Sequence, residues 1–453
     1  MADSAKGAAR VPVSMKFGYS AGLFGISMVQ TSVSVLLLYF YTDILHIPPA
    51  SAGGIVFLGT FADAFSSVFA AWVANHHHSP LGRYRPLLIG VSAPLAVFFA
   101  LMFSRPDLSA GQLWIYAAIT HLCYRICYAF TLAPHSALIG RLSSDADERS
   151  AIGAWKAVAN NLGLMAAAYL GISTVEKLGG TDPARGFTMF GAIFGTAAGI
   201  SVLYSALATR ERAGGRHDDT GQFIPGLALI LRNSQMRLVL ASTLIFFAGY
   251  MLMNSGVVYF FKYILMRPEE AKFAVVAIGV GGIVMPPLWS AAIRRTSKAR
   301  IWATGCIVMA FAFVSIYIFG VVGSLPILLS YFLIGAGKSA VIVNFYAMTA
   351  DAVDYGHWKL GARAESYSFG FLSLANKAGT AIGGGLLGLL LDWSGLIVNA
   401  RQTDQTLGRL WAVICLAPAA LAVASAVVVL FFKVTASKHR EMVMELQARE
   451  GEL

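Results

Sequence analysis

The strongest constraint on this chain is a succession of nearly unbroken apolar blocks, each about as long as a membrane is thick. A helix crosses the hydrocarbon core in about 20 residues. On that measure the sequence predicts about twelve spans, near 17–42, 50–75, 86–104, 112–140, 151–176, 187–209, 237–263, 270–293, 301–321, 325–351, 366–391 and 409–433. A soluble chain would separate its apolar positions with charged faces and would be about a quarter charged. Here 57% of the 453 residues are hydrophobic and 13% are charged. The fold class is therefore an all-α membrane protein, and the many glycines fit helices that pack closely in lipid.

The basic residues give the orientation. One set of connections carries Arg83, Arg85, Arg141, Arg149, Arg210, Arg212, Arg216, Arg294, Arg295, Lys298 and Arg300, and the tail adds Lys433, Lys438 and Arg440. The alternate connections are poor in Lys and Arg. The positive-inside rule then predicts a multi-pass protein of the cell inner membrane with both termini in the cytoplasm. The net charge of +11 is this asymmetry, and no nucleic-acid partner is needed to explain it. The N-terminal MADSAKGAARVPVSMK lacks an apolar core, so a cleavable signal is not expected. Cys123, Cys127, Cys306 and Cys415 fall inside apolar blocks and read as small buried hydrophobes. His76–His78 read as a solvated turn, because no further ligand group stands near them in sequence.

The longest interior polar stretch, 209–236, divides the helices six and six. The expected organisation is an N-terminal six-helix bundle (1–208), a cytoplasmic linker, and a C-terminal six-helix bundle with its tail (237–453). LGRYRP at 81–86 after the second helix and RRTSKAR at 294–300 after the eighth form a weak internal echo. Two such bundles rocking about a midplane cavity are the major facilitator architecture.

Several segments add a family resemblance. FGYSAGLFG (17–25), YFYTD (39–43), LGRYRP (81–86), SDADERS (144–150), ADAVDYGHWKLGARAES (350–366) and ANKAGTAIGG (375–384) resemble the glycoside-pentoside-hexuronide:cation symporters, the melibiose permease relatives. The likeness runs through essentially the whole chain in order. It implies a secondary transporter of the symport type, with no prosthetic cofactor and a co-transported proton or sodium ion.

Asp63 in the second helix is the central candidate, since an intramembrane acid usually lines a pathway. The family carries D-x-x-N-D-P here, two acids one turn apart. This chain keeps Asp63 but has Ser66 and Ser67 where the family has Asn and Asp. Sodium favours several hard oxygens including carboxylates, so one lone carboxylate points to a proton, with sodium or no coupling as the alternatives. Lys377 matches the family lysine near the cation site. The alternative for Asp63 is a purely structural pairing with a buried base.

The sugar-gripping acids of the family are replaced by Ser27 and Leu132. What remains is basic and aromatic: His121, Arg125, Tyr128, Leu132 and His135 follow one another at helical steps of three or four. Lys156 roughly matches the family's helix-five arginine, beside Trp155, Asn160 and Asn161, and Lys338 adds a base to the tenth helix. This excess of buried positive charge is costly unless an anion balances it. The expected solute is a glycoside, a uronate or another small organic anion, with Arg125 as its bidentate clamp and Tyr128 or Trp155 stacking on a ring. Local pairing of Arg125 and snorkelling of Lys338 are the alternatives. Tyr250, Asn254, Asn344, Tyr346, Tyr367, Ser373 and Thr380 are the polar residues expected along the second half of the path.

Arg83 and Arg85 are expected to pair with Asp145, Asp147 or Glu148 as a cytoplasmic gate, with Arg149 in the same motif; Asp351, Asp354, Arg363 and Glu365 form the expected counterpart. The C-terminal KHREMVMELQAREGEL reads as a short amphipathic helix without a role in transport. A monomer in the bilayer is expected. An enzyme would need a nucleophile with its base or clustered metal ligands, and the sequence offers neither. A lysolipid or other amphiphile carrier on the same fold is the remaining alternative, separable by competition with lysolipids.

Overall fold

The computed structural model describes residues 11–76, 79–142, 146–211, 229–293, 295–319, 323–361 and 365–451. Among these residues the regular structure is helical throughout. The first half contains α1 (Val13–Tyr39), α2 (Pro49–His76), α3 (Arg85–Met102), α4 (Ala110–Leu142), α5 (Ala146–Ala166), α6 (Ile172–Gly179) and α7 (Pro183–Ala208). The second half contains α8 (Ser234–Tyr259), α9 (Ala271–Val284), α10 (Pro286–Ile293), α11 (Lys298–Phe319), α12 (Ser324–Leu360), α13 (Glu365–Ser394) and α14 (Asp404–Leu430), followed by α15 (Ala436–Gly451). Helix stands at every segment expected from the apolar blocks. Among the described residues, 9 helices are long and apolar enough to cross a membrane, or up to 10 if the bent pair α9–α10 is one span.

Departures from the expected segments have local causes. The block near 270–293 breaks with a 40° bend at Pro286 and Pro287, which lack the N–H groups needed to continue the ladder. α12 runs 37 residues, about 56 Å at 1.5 Å per residue, well beyond the roughly 30 Å of hydrocarbon. Its last turns therefore carry Asp351 and Asp354 out of the apolar layer, and it stops at Gly361 in the left-handed region, φ 72°.

The chain divides into two compact units. The first comprises Met1–Arg216, Val257–Val276 and Gly388–Gln402; the second comprises His217–Gly256, Ala277–Leu387 and Thr403–Leu453. In the first unit α7 packs on α1 and α3, α5 on α1, and α4 on α2 and α3. Small residues permit the closest of these approaches: a Cβ on Gly195 would lie 2.6 Å from the Ala96 carbonyl of α3. Phe40, Phe99, Phe103, Phe187 and Phe190 interlock beside this seam, with Phe40 and Phe187 centroids 4.9 Å apart. In the second unit α11 packs on α12 and α14. There the wholly buried Trp302 donates to Ser425 at 3.2 Å, and Ser425 donates to the Ser242 carbonyl at 3.0 Å.

The structure also exposes a repeat that apolar periodicity hides. Tyr39-Phe40-Tyr41-Thr42-Asp43-Ile44-Leu45 ends α1, and Tyr259-Phe260-Phe261-Lys262-Tyr263-Ile264-Leu265 ends α8. Each widens into a π turn, Phe40–Ile44 and Phe260–Ile264. Leu45 donates to the Phe40 carbonyl at 3.0 Å, and Leu265 to that of Phe260 at 3.1 Å. The next residues, His46 and Met266, both have φ 57°, and Pro48 and Pro268 follow two residues later.

Candidate functional site

Asp63 lies on the face of α2 that packs against α4 and is 3% exposed. Ser67, one turn on, donates to its carboxylate at 3.4 Å. The hydroxyl thus stands where a second carboxylate would have stood; Ser66, at i+3, is half-buried. Tyr124 and Tyr128 of α4 lie within electrostatic reach of both Asp63 and Arg125.

Arg125 is 1% exposed. Its Nε donates to His121 Nε2 at 3.4 Å, and Nη1 donates to Gln30 Oε1 of α1 at 3.4 Å. Nη2 has no hydrogen-bond partner among the described residues. The two bonds it makes are long and go to neutral groups, so they compensate little of the cost of burying a guanidinium. The local sequence builds this pocket by a close approach. A Cβ on Gly59, one turn before Asp63, would fall 2.0 Å from the His121 ring. Only glycine at 59 lets α4 bring His121, and hence Arg125, against α2.

Gln30 escaped the sequence reading. A lone Gln in an apolar helix carries no signal until its facing element is known. Three residues before it on α1, Ser27 donates to Asn160 of α5 at 2.7 Å. Ser27 and Gln30 are one turn apart, so α1 presents neighbouring polar contacts to α5 and α4. Lys156 lies one turn before Asn160; it is half-buried and has no hydrogen-bond or ion-pair partner among the described residues. Trp155 beside it is 41% exposed.

His135 lies apart from Arg125, on the side of Lys156. It is ten residues beyond Arg125 on α4, about 15 Å along the axis. Its Nε2 is 3.0 Å from the Tyr19 carbonyl and 3.3 Å from Ser205 Oγ, and its ring stacks on Tyr19 at 4.4 Å. These contacts make it a packing residue between α1, α4 and α7. In the second unit Lys338 donates to the Tyr250 hydroxyl at 2.9 Å and sits over its ring at 4.4 Å. That is local pairing rather than snorkelling. Asn344 is buried; its amide donates to the Ala340 carbonyl at 2.8 Å, and its Oδ1 has no partner among the described residues. Ser373 is exposed, Lys377 half-buried, Asn254 buried, and Thr380 donates to the Asn376 carbonyl at 2.9 Å.

Among the described residues the gate segments make the following contacts. Glu211, just past α7, accepts from the backbone N–H groups of Arg83, Tyr84 and Arg85 at 3.0, 2.8 and 3.2 Å. Gly82 allows this, with φ 104° and with its missing Cβ where the Glu211 carboxylate lies. The Arg85 side chain donates to the Ala206 carbonyl at 2.7 Å. Glu148 pairs with Lys16 at 2.8 Å. Asp351 pairs with Lys298 at 2.7 Å, and Asp354 lies 3.0 Å from His439 Nε2. α15 packs on α12 through His439 and through Trp358, which donates to Glu445 at 2.6 Å. Asp145, Arg363, His77 and His78 lie outside the described residues, as do the side chains of His76, Asp147, Arg149 and Glu365. Among the described residues no group of three His, Cys, Asp or Glu could hold a metal ion.

A sequence profile of the family described as MFS/sugar transport protein matches residues 18–436. The chain is 27% identical over 432 residues to an isoprimeverose transporter of Lactiplantibacillus pentosus, covering 94% of this chain and 89% of that protein. It is 25% identical over 443 residues to a glucuronide carrier protein homolog of Escherichia coli strain K12, covering 96% and 95%. The crystal structure of a D-xylose-proton symporter superposes with a TM-score of 0.68 at 12% identity, covering 93% of this chain and 98% of that one; this likeness concerns the fold.

Proposed function

Because the chain belongs to the MFS/sugar transport protein family, in its glycoside-pentoside-hexuronide symporter branch, and is a transporter rather than an enzyme, we propose that it moves an anionic sugar derivative, a uronate or a glycoside bearing a carboxylate, together with a proton. The proposed arrangement is two six-helix halves, 1–208 and 237–453, alternating access about the linker 209–236, in the inner membrane with both termini cytoplasmic. The observation that carries the choice of solute is Arg125: buried, with no ion-pair partner among the described residues and with Nη2 unsatisfied. A solute carboxylate supplies the charge and the acceptor that this guanidinium lacks. Gln30 and Ser27 hold the polar side of the solute, Lys156 adds a second cation, and Tyr128 and Trp155 contribute ring surface.

Asp63 is the coupling carboxylate in this reading. Ser67 offers it a neutral oxygen, so the site has one formal negative charge where the family has two, which suits a proton better than sodium. Lys377 modulates that site by competing for the carboxylate. One proton carried with one monoanion moves no net charge. Uptake of a uronate into proteoliposomes in sodium-free buffer tests this. The expected result is solute-dependent proton uptake that proceeds equally with and without a membrane potential. Sodium-dependent, voltage-driven uptake of a neutral glycoside would overturn it, and preference for lysolipid would replace the solute class.

A further inference from the structure

The repeated π turns at the ends of α1 and α8 carry a charged cluster that the transport reading above does not use. Asp43 is the centre: its side chain is 0% exposed and that of Lys262 is 21% exposed. The Lys262 ammonium donates to Asp43 Oδ1 at 2.5 Å, to the Asn399 amide oxygen at 2.6 Å and to the Tyr39 hydroxyl at 3.2 Å. The Tyr263 hydroxyl donates to the same carboxylate oxygen. Thr42 donates to the other oxygen at 2.6 Å and lies 2.7 Å from the Tyr259 hydroxyl. Asn399, in the connection after α13, closes the cluster: its amide donates to the Asp43 carbonyl at 2.7 Å, and its N–H reaches the Tyr263 hydroxyl at 3.1 Å. It does so with φ 57°, a conformation that asparagine tolerates better than most residues.

We propose that Asp43, Lys262, Tyr263 and Asn399 form a lock that holds the extracellular end of the transport path shut, and that this lock must open in every cycle. Three observations point this way. First, the cluster joins segments far apart in sequence: 257–276 and 388–402 come from the second half of the chain yet are bound into the unit formed by the first. Second, the partners are counterparts in the repeat. Asp43 occupies the position of Tyr263, Thr42 that of Lys262, and Tyr39 that of Tyr259. The two turns thus meet across a local two-fold relation, as alternating halves would at a shared gate. Third, the chemistry suits a reversible closure. Each oxygen of Asp43 is occupied, so the closed state is well satisfied, while Lys262 and Asn399 keep access to water at one edge where separated charges can rehydrate. One side of the lock is anchored: Phe40 at its root is fully buried among Phe103 and Phe187.

The test uses Ser34→Cys, on α1 nine residues before Asp43, in the full-length protein in right-side-out vesicles. An impermeant maleimide is added outside with no solute present, and the modified cysteine is identified by mass spectrometry. Asp43→Asn and Lys262→Met are expected to raise the labelling rate by roughly tenfold, as an unpaired buried charge shifts the population toward the open state. The exchange Asp43→Lys with Lys262→Asp is expected to return it toward the starting rate. Asn399→Ala, which leaves the ion pair in place, is expected to give a smaller rise and serves where a charge variant does not insert. Labelling unchanged in every variant that inserts would overturn the proposal. Since no solute or ion gradient enters the assay, its outcome is independent of whether the solute is a uronate or the ion a proton.

Discussion

At the scale of single residues the account rests on Arg125 and Asp63. Arg125→Gln keeps the hydrogen-bonding outline but removes the charge, so solute binding is expected to weaken by roughly 10- to 100-fold, about 1.4–3 kcal/mol for a lost charge-assisted bond. Arg125→Lys is expected to restore little, because an ammonium cannot reproduce the planar fork. Equilibrium binding to purified protein measures both. Asp63→Asn is expected to bind solute yet lose accumulation driven by a pH gradient, read as uptake with and without a protonophore. These two residues were legible in the sequence, because charge inside an apolar run is rare and therefore informative. The surrounding partners were not: Gln30, Glu211 and Lys16 are ordinary until the fold sets them against Arg125, the 81–86 turn and Glu148. His135 shows the complementary limit. It belongs to the same helical stripe as Arg125, but a stripe that long passes different neighbours along its length, and His135 meets Tyr19 and Ser205 instead.

Between elements, the close seat of α4 on α2 sets the geometry around Arg125. Gly59→Ala would place a methyl 2.0 Å from the His121 ring, whereas a Cβ at Gly54 on the same helix meets nothing within 4 Å. Gly59→Ala is therefore expected to displace His121 and weaken solute binding by about tenfold, at an overpacking cost of about 1–3 kcal/mol. Gly54→Ala is expected to leave both binding and thermal stability in detergent unchanged. The elements themselves could be read from the sequence because a membrane span is a long, one-dimensional apolar signal. The bend at Pro286 follows from chemistry visible in the sequence, but the extension of α12 past Asp351 does not, since polar residues after an apolar run end a span without ending a helix. The π turns were hidden for another reason: FYTDI and FFKYI share their first two aromatic positions but differ in charge, and their likeness is a matter of backbone hydrogen bonds.

For the whole molecule, the claim is that Arg125, a buried cation with no ion-pair partner among the described residues, selects an anionic solute. The most direct measurement is binding of a matched pair, a neutral glycoside and its uronate, to the purified protein and to Arg125→Gln, across pH and with and without sodium. The account predicts that the wild type prefers the uronate, that sodium has no effect, and that Arg125→Gln loses the preference. Equal or tighter binding of the neutral glycoside by the wild type, or a preference that persists in Arg125→Gln, would contradict it.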